Sequence, residues 1–289
     1  MTTLIQHRLM MTKNLSSLVE DIYKVLEGCD NAISDEQIKQ LTTSLASTIT
    51  DRLKQSSKRR DHLSLSSIGK PLRKLWYDLK EPIDTSEEPS YYRLKFLYGD
   101  IIETLVLWLA QVAGHTVTDC QKEVKHHGVV GHIDSIIDGE VVDVKSASQR
   151  SYMKFLNGTL PDDDPFGYLA QIQSYDTEVG KGHPAFLVVN KVTGEICLYQ
   201  PDKDFDLPDT KALIDTARKA LSKDTPPEQK CYLDEPDGKS GNRCLSKGCM
   251  FCPYKNRCWE GLRAFKYATG TKYLTHVEKE PKVEEIKND

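Results

Sequence analysis

The sequence predicts an α/β fold preceded by helices and closed by a cysteine-rich segment. Three observations carry this. Segments with helical apolar spacing alternate with short β-branched runs. An Asp138-Gly139 pair separates two such runs in the middle of the chain. Five of the eight cysteines fall between residues 231 and 258 of 289.

The elements follow in order. Leu15, Leu18, Val19, Ile22 and Leu26 recur at helical spacing, with Ser17 and Glu20 as a capping box and Gly28 as the stop. A second helix follows Ser34 and carries Ile38, Leu41, Leu45, Ile49 and Leu53, so the start reads as a helical hairpin. Residues 54–61 are polar and basic and read as a linker; residues 1–60 read first as a packing or oligomerisation appendage, with DNA contact by Lys58, Arg59 and Arg60 as the alternative. A short helix follows in SSIGKPLRKLWYDLK. A long one spans PSYYRLKFLYGDIIETLVLWLAQVAG, with Leu97, Ile101, Leu105, Val106 and Leu109 as buried positions and Gly114 as its end. Residues 116–146 read as strands. A helix is expected to open at Asp164-Pro165 and run to about Glu178. Residues 184–200 form a second hairpin candidate, and 208–223 an amphipathic helix. This divides the chain into a helical region and linker at 1–60, a core at 61–230, a cysteine-rich segment at 231–265, and a charged tail at 266–289, expected to lack structure from Val277.

Apolar residues make up 38% and charged residues 28%, with a formal net charge of −4. That composition fits a soluble protein with a real core. It excludes nucleic-acid binding by overall basicity, so any such contact must be local. There is no run of roughly 18 apolar residues for a membrane span and no apolar leader, so no membrane partner is expected. Clustered cysteines without an export signal point to a reducing compartment, the cytoplasm, which would be the host cytoplasm for a phage-encoded chain.

The Asp138-Gly139 pair is the strongest short-range hairpin signal. A two-residue turn sets Ile137 opposite Glu140, and therefore Asp134 opposite Asp143 and His132 opposite Lys145. Alternation puts these four on one face and Ile133 and Val144 on the other. Facing carboxylates, with β-carbons roughly 4.5–5.5 Å apart, repel unless a cation lies between them. A hard divalent ion suits oxygen ligands, and Lys145 would lie beside its water, an arrangement for phosphodiester hydrolysis. Taken alone, D-x-K is also the pattern of a surface acid paired with a lysine. Glu103 adds an acid on a largely apolar helix. Gln171 and Tyr175 lie four apart on one helix face.

Gly99-x-x-x-Glu103, Gly131-His-Ile-Asp134, Asp143-Val-Lys145 and Gln171-Ile-Gln-Ser-Tyr175, in that order, resemble the PD-(D/E)XK nuclease superfamily, most closely its RecB-like exonuclease branch, which includes phage exonucleases and CRISPR adaptation nucleases. Residues 66–79 resemble that branch's lead-in segment, so the resemblance runs from about Leu65 to Trp259. It implies a restriction-endonuclease-like core, a central mixed β-sheet flanked by helices. It also implies an Mg²⁺- or Mn²⁺-dependent deoxyribonuclease, an exonuclease rather than an endonuclease, acting in DNA recombination, repair or phage DNA metabolism. Glu103, Asp134, Asp143 and the Val144 carbonyl would be metal ligands, Lys145 the catalytic lysine, and Gln171 and Tyr175 substrate-positioning residues. Many relatives have His at the place of Glu103, and Glu at that of Asp143. Arg73, with Lys74, Trp76 and Tyr77, and Arg150 with Tyr152, are candidates for DNA backbone and base contacts. A solvated helix face, with Trp76 in the core, is the ordinary reading of the same residues.

Cys244, Cys249, Cys252 and Cys258 supply four thiols within fifteen residues. Four thiols at such spacing suit a zinc ion or an iron–sulfur cluster, while Cys29, Cys120 and Cys197 read as buried small hydrophobes. Relatives with a [4Fe–4S] cluster carry three cysteines matching Cys249, Cys252 and Cys258 and a fourth near Pro71, where this chain has none. Cys244 is the expected replacement, with Cys231 in reserve, holding [4Fe–4S] or Zn²⁺ in its place. Two rival functions are a CRISPR-adaptation-type nuclease that needs partner proteins and a non-catalytic DNA-binding protein with a zinc module. Homo-oligomers stay open.

Overall fold

A computed structural model describes residues 13–28, 33–54, 61–83 and 90–286. The expectations for Cys29 and for Lys58, Arg59 and Arg60 lie outside those residues. The helices are α1 (Leu18–Leu26), α2 (Asp35–Lys54), α3 (Leu72–Lys80), α4 (Tyr91–Val112), α5 (Gln149–Leu156), α6 (Tyr168–Val179), α7 (Thr210–Leu221), α8 (Lys247–Met250) and α9 (Lys255–Cys258). The strands are β1 (Val117–Thr118), β2 (Glu123–His126), β3 (Val129–His132), β4 (Ser135–Ile137), β5 (Glu140–Ala147), β6 (Ala185–Asn190), β7 (Ile196–Tyr199), β8 (Glu235–Pro236), β9 (Arg243–Cys244), β10 (Arg263–Tyr267), β11 (Gly270–His276) and β12 (Glu285–Ile286).

The central sheet has strand order β1-β4-β5-β6-β7. Only β5 and β6 run parallel, joined through α5 and α6, so the sheet is mixed and flanked by helices. Alternation along β5 sorts the two faces. Val142 and Val144 join Leu187 and Ala185 in a core closed by α1 and α4. Val141 and Ala147 join Phe186 and Val188 in a core closed by α5, α6 and α7. Asp143 and Lys145 share the parity of Val141, so they face α6.

The N-terminal helices do not stand apart. Leu15, Leu18 and Ile22 are fully or almost fully buried in the core shared with α4. No residue of α2 is fully buried. It lies along α4 through polar contacts: Trp108 Nε1 donates to the Gln37 carbonyl at 3.0 Å, and Arg52 Nη2 to Asp100 at 2.7 Å. Ile38, Ile49 and Leu53 of its apolar series are exposed, as is Leu105 of α4.

Helix α6 starts at Tyr168 rather than Pro165, because Gly167 takes φ +74° and breaks helical geometry. Gly167 is required there, since an added Cβ would meet the Gly69 backbone at 2.3 Å. Asp164 still caps the helix by accepting from the Leu169 N–H at 2.9 Å. A second sheet, of order β12-β10-β11-β9-β8, joins β8 and β9 of the cysteine-rich segment to β10, β11 and β12, so the expected charged tail carries strands; among the described residues from Val277 on, only Glu285–Ile286 is strand. Its charges are paired across strands: Arg263 reaches both Glu280 and Glu285, and Lys272 reaches Asp237 at 2.6 Å.

Candidate functional site

The Asp138-Gly139 turn has φ +53° and +93°, the left-handed pair that a tight hairpin requires. The register follows: Ile137 faces Glu140, and Ser135 faces Val142. The ladder then stops. Ile133 and Asp134 turn away from β5, and the Ile133 N–H donates to the Lys122 carbonyl at 3.0 Å. His132 therefore pairs with Glu123 in the β2–β3 ribbon, exposed, and not with Lys145. Ile133 and Val144 consequently end in different cores, not opposite one another.

This bend shapes the acid pair. Where the ladder would continue, the Asp134 carboxylate accepts the Val144 N–H at 2.8 Å. The N–H and C=O of a strand residue point the same way. The Val144 carbonyl therefore faces the same gap as Asp134. One residue along, Asp143 is 1% exposed. Its Oδ2 pairs with Lys145 Nζ at 2.6 Å, and its Oδ1 accepts from Gln171 Nε2 at 3.0 Å. Lys145 Nζ also lies 4.5 Å from the centre of the Tyr168 ring. Tyr175 is buried, 3.4 Å from Gln171 Nε2. Burial pushes its phenol up to about 12. It braces Gln171 and has no surface to offer DNA.

Glu103 approaches from α4. An added Cβ on Gly99 would lie 3.4 Å from Ser146 Oγ, so the helix rests on β5 there. Glu103 is one turn further on the same face, and accepts from Gln121 Nε2 at 2.6 Å. Burial pushes its carboxyl up to about 7, against the Gln121 hydrogen bond and with the help of Asp143. Asp134 is raised well above the ordinary aspartate range, first by burial and then by Asp143 and Glu103. Burial alone would lower Lys145, but Asp143 and Asp134 outweigh it and hold the ammonium charged. A cleft of about 800 Å³ opens beside Glu103, lined by Arg52, Asp100, Gln121 and residues of α2.

Sequence reasoning missed Tyr168 and Gln121. Tyr168 carried a signal, being three residues before Gln171 on one helix face. Gln121 carried none.

The expected thiol set divides. Cys249, Cys252 and Cys258 line one cavity of about 260 Å³, and Cys231 joins them. Cys244 sits on β9, paired with Leu274 and Glu235 in the second sheet, and is not among the cavity residues. Arg73 reaches one of these thiols. Its Nε lies 3.4 Å from Cys258 Sγ, and its Nη1 donates to the Pro227 carbonyl, so it is not at the carboxylates. Trp76 is buried, donating to the Lys223 carbonyl at 3.1 Å.

Among the described residues, no three His, Cys, Asp or Glu side chains converge as they stand on a point that could hold a metal ion. The donor chemistry nevertheless suits metals at both places. Glu103, Asp134 and Asp143 bring three hard carboxylates against one ammonium, and the raised acids register that surplus of negative charge. At the thiol cavity, Ser246 Oγ and Trp259 Nε1 are buried donors without a hydrogen-bond partner, both beside Cys249.

No protein-family model matches the sequence, and no curated protein matches it. A crystal structure of SSO0001 is similar at 14% identity and a TM-score of 0.35, over 64% of this chain and 87% of that one. Among the described residues, no helix is long and apolar enough to cross a membrane.

Proposed function

We propose that the chain is a divalent-metal-dependent deoxyribonuclease that hydrolyses phosphodiester bonds from DNA ends, built on a restriction-endonuclease-like core. The observation that carries this reading is the meeting of half-buried Glu103, Asp134 and Lys145 around the buried Asp143. Two of these acids are held well above their ordinary range, a cost that a purely structural cluster would avoid. The end preference rests on the resemblance alone.

Glu103, Asp134, Asp143 and the Val144 carbonyl would hold Mg²⁺ or Mn²⁺. When bound, the ion supplies charge neutralisation at phosphate and lowers the pKa of a water molecule. Without the ion, Asp143 and Asp134 hold Lys145 as an ammonium; its part is to donate hydrogen bonds to phosphate oxygen or to orient or deprotonate the attacking water. Asp143 and the Tyr168 ring fix where that ammonium sits. Gln171 fixes the Asp143 carboxylate and is itself backed by Tyr175. The cleft beside Glu103 opens the cluster to solvent on the side of that one acid.

The test is incubation of end-labelled linear DNA and closed circular DNA with Mg²⁺ or Mn²⁺. Wild type is expected to degrade linear DNA and spare closed circles. Lys145→Ala is expected to lose roughly 10²–10⁴-fold in rate. Absence of digestion with both metals, or equal digestion by the variant, contradicts the reading. Digestion of circles at the linear rate removes the end preference.

A further inference from the structure

We propose that Cys231, Cys249, Cys252 and Cys258 form a four-thiolate metal site, closed by Cys231 from the α7–β8 connection and not by Cys244. The four thiols line one cavity with Pro71, Lys74, Lys230 and Trp259. They come from three separate stretches of chain: Cys231 before β8, Cys249 and Cys252 around α8, and Cys258 at the end of α9. A chance gathering of buried cysteines would place them among aliphatic side chains. Here each sulfur meets a hydrogen-bond donor instead. The Lys74 N–H, in the first turn of α3, faces Cys231. Ser246 and Trp259 face Cys249. The Tyr254 N–H faces Cys252, and Arg73 Nε faces Cys258 at 3.4 Å.

Positive charge is gathered in the same place. Lys230 Nζ sits 3.3 Å from the centre of the Trp259 ring, and Lys74, Lys247 and Lys255 are further cavity residues. Four thiolates around a doubly charged metal centre leave net negative charge, which N–H donors and nearby ammonium groups stabilise. Ser246 Oγ and Trp259 Nε1, buried beside Cys249 and with no other partner, would donate to metal-bound sulfur. Around Cys244 the neighbours differ. Asp237, Glu235 and Asp234 lie near it, with Lys272 already paired to Asp237, so a further anion is disfavoured there. The shared ligand chemistry is soft thiolate, which takes either a zinc ion or an iron–sulfur cluster. Its role is structural, tying the segment from 231 to 258 onto α3.

The experiment uses the full chain purified without oxygen, in parallel as isolated and after reconstitution with ferrous iron and sulfide. Iron, acid-labile sulfide and zinc are measured per chain, with the visible spectrum. Wild type is expected to hold one centre. Iron with sulfide and a brown colour identifies a cluster, and one zinc in a colourless protein identifies a single ion; both support the thiol set. Cys231→Ala is expected to lose at least tenfold in retained metal, while Cys244→Ala retains it. Alkylation mapped by mass spectrometry on wild type needs no variant to fold. Cys231, Cys249, Cys252 and Cys258 should be protected until a chelator removes the metal, and Cys244 labelled equally before and after. Wild type without metal in either preparation, Cys244→Ala losing metal while Cys231→Ala keeps it, or Cys231 labelling that ignores the chelator would each overturn the proposal. None of these readouts depends on DNA hydrolysis.

Discussion

The carboxylate cluster and the thiol cavity are assembled by different rules. Most of the first comes from one hairpin and the bend that ends its ladder, which gather Asp134, Asp143, Val144 and Lys145 from a stretch of twelve residues. The second is closed by a residue eighteen positions before its nearest partner, Cys249. A strand pair transmits local spacing directly into three-dimensional proximity. A loop-rich segment does not, and there linear spacing favours Cys244 while the fold presents Cys231. The two places also differ in charge. Acids in excess of one ammonium destabilise the first, whereas donors and ammonium groups surround the thiols of the second. Under the proposed reading, the first would sacrifice stability for chemistry and the second would hold the fold together.

That contrast can be broken by substitutions that move activity and stability in opposite directions. The largest expected effect is from Asp134→Asn. It should lower DNA hydrolysis roughly 10²–10⁴-fold, yet raise metal-free thermal stability by about 1–3 kcal/mol at neutral pH, since it removes a buried charge and keeps an acceptor for the Val144 N–H. A matched rate assay and melting curve check both signs. Cys258→Ala should do the reverse, lowering the melting temperature by several degrees; a rise would remove the distinction between the two places.

Gln171→Ala frees the Asp143 carboxylate and should cost about 10–100-fold in kcat, read in the same digestion assay. Unchanged kcat would show that Asp143 is positioned by Lys145 alone.

The pH dependence sharpens the comparison. The Glu103 carboxyl goes from an ordinary 4.5 to about 7 on folding. The folded state therefore holds its proton more tightly than the unfolded chain does. Metal-free stability should be fullest below about pH 4.5 as far as this group is concerned, and fall as pH rises toward 7. Glu103→Gln should flatten that fall in a series of denaturant titrations. The smallest expected effect is from Tyr175→Phe. Its hydroxyl makes only a 3.4 Å contact, so a loss of less than about threefold in kcat is expected.

The legible parts of the molecule are those where local pattern and tertiary structure agree. The Asp138-Gly139 turn and the amphipathic helices α1 and α7 follow from turn chemistry and apolar period, while the mixed order of the sheet was implied only by the resemblance. His132 was placed wrongly because a register argument assumes that the strand continues, and this one bends at Ile133 to pair with Lys122. The start of α6 was placed early because Asp-Pro is a sound local start signal. Its neighbour Gly167 instead packs against Gly69, a contact between residues 98 apart. The second sheet went unseen because its strands are short and carry few apolar residues, Ala264, Phe265 and Leu274 being the buried ones, and because charges that suggest a tail, such as Arg263 and Glu285, are cross-strand partners. Gly131 shows the opposite case. It belongs to the motif around Asp134, and its reason is steric: an added Cβ would lie 2.7 Å from Tyr175 and 2.8 Å from Leu65.

The central claim is that Asp134 and Asp143 meet beside Lys145 in order to hold a divalent ion. Binding of Mn²⁺ to the full chain, followed by electron paramagnetic resonance at pH 7.5, tests it most directly. The account predicts saturable Mn²⁺ binding to wild type that Mg²⁺ displaces, and a loss of at least tenfold in affinity in Asp143→Asn. Wild type that binds no Mn²⁺, or binding that Asp143→Asn leaves unchanged, would contradict it.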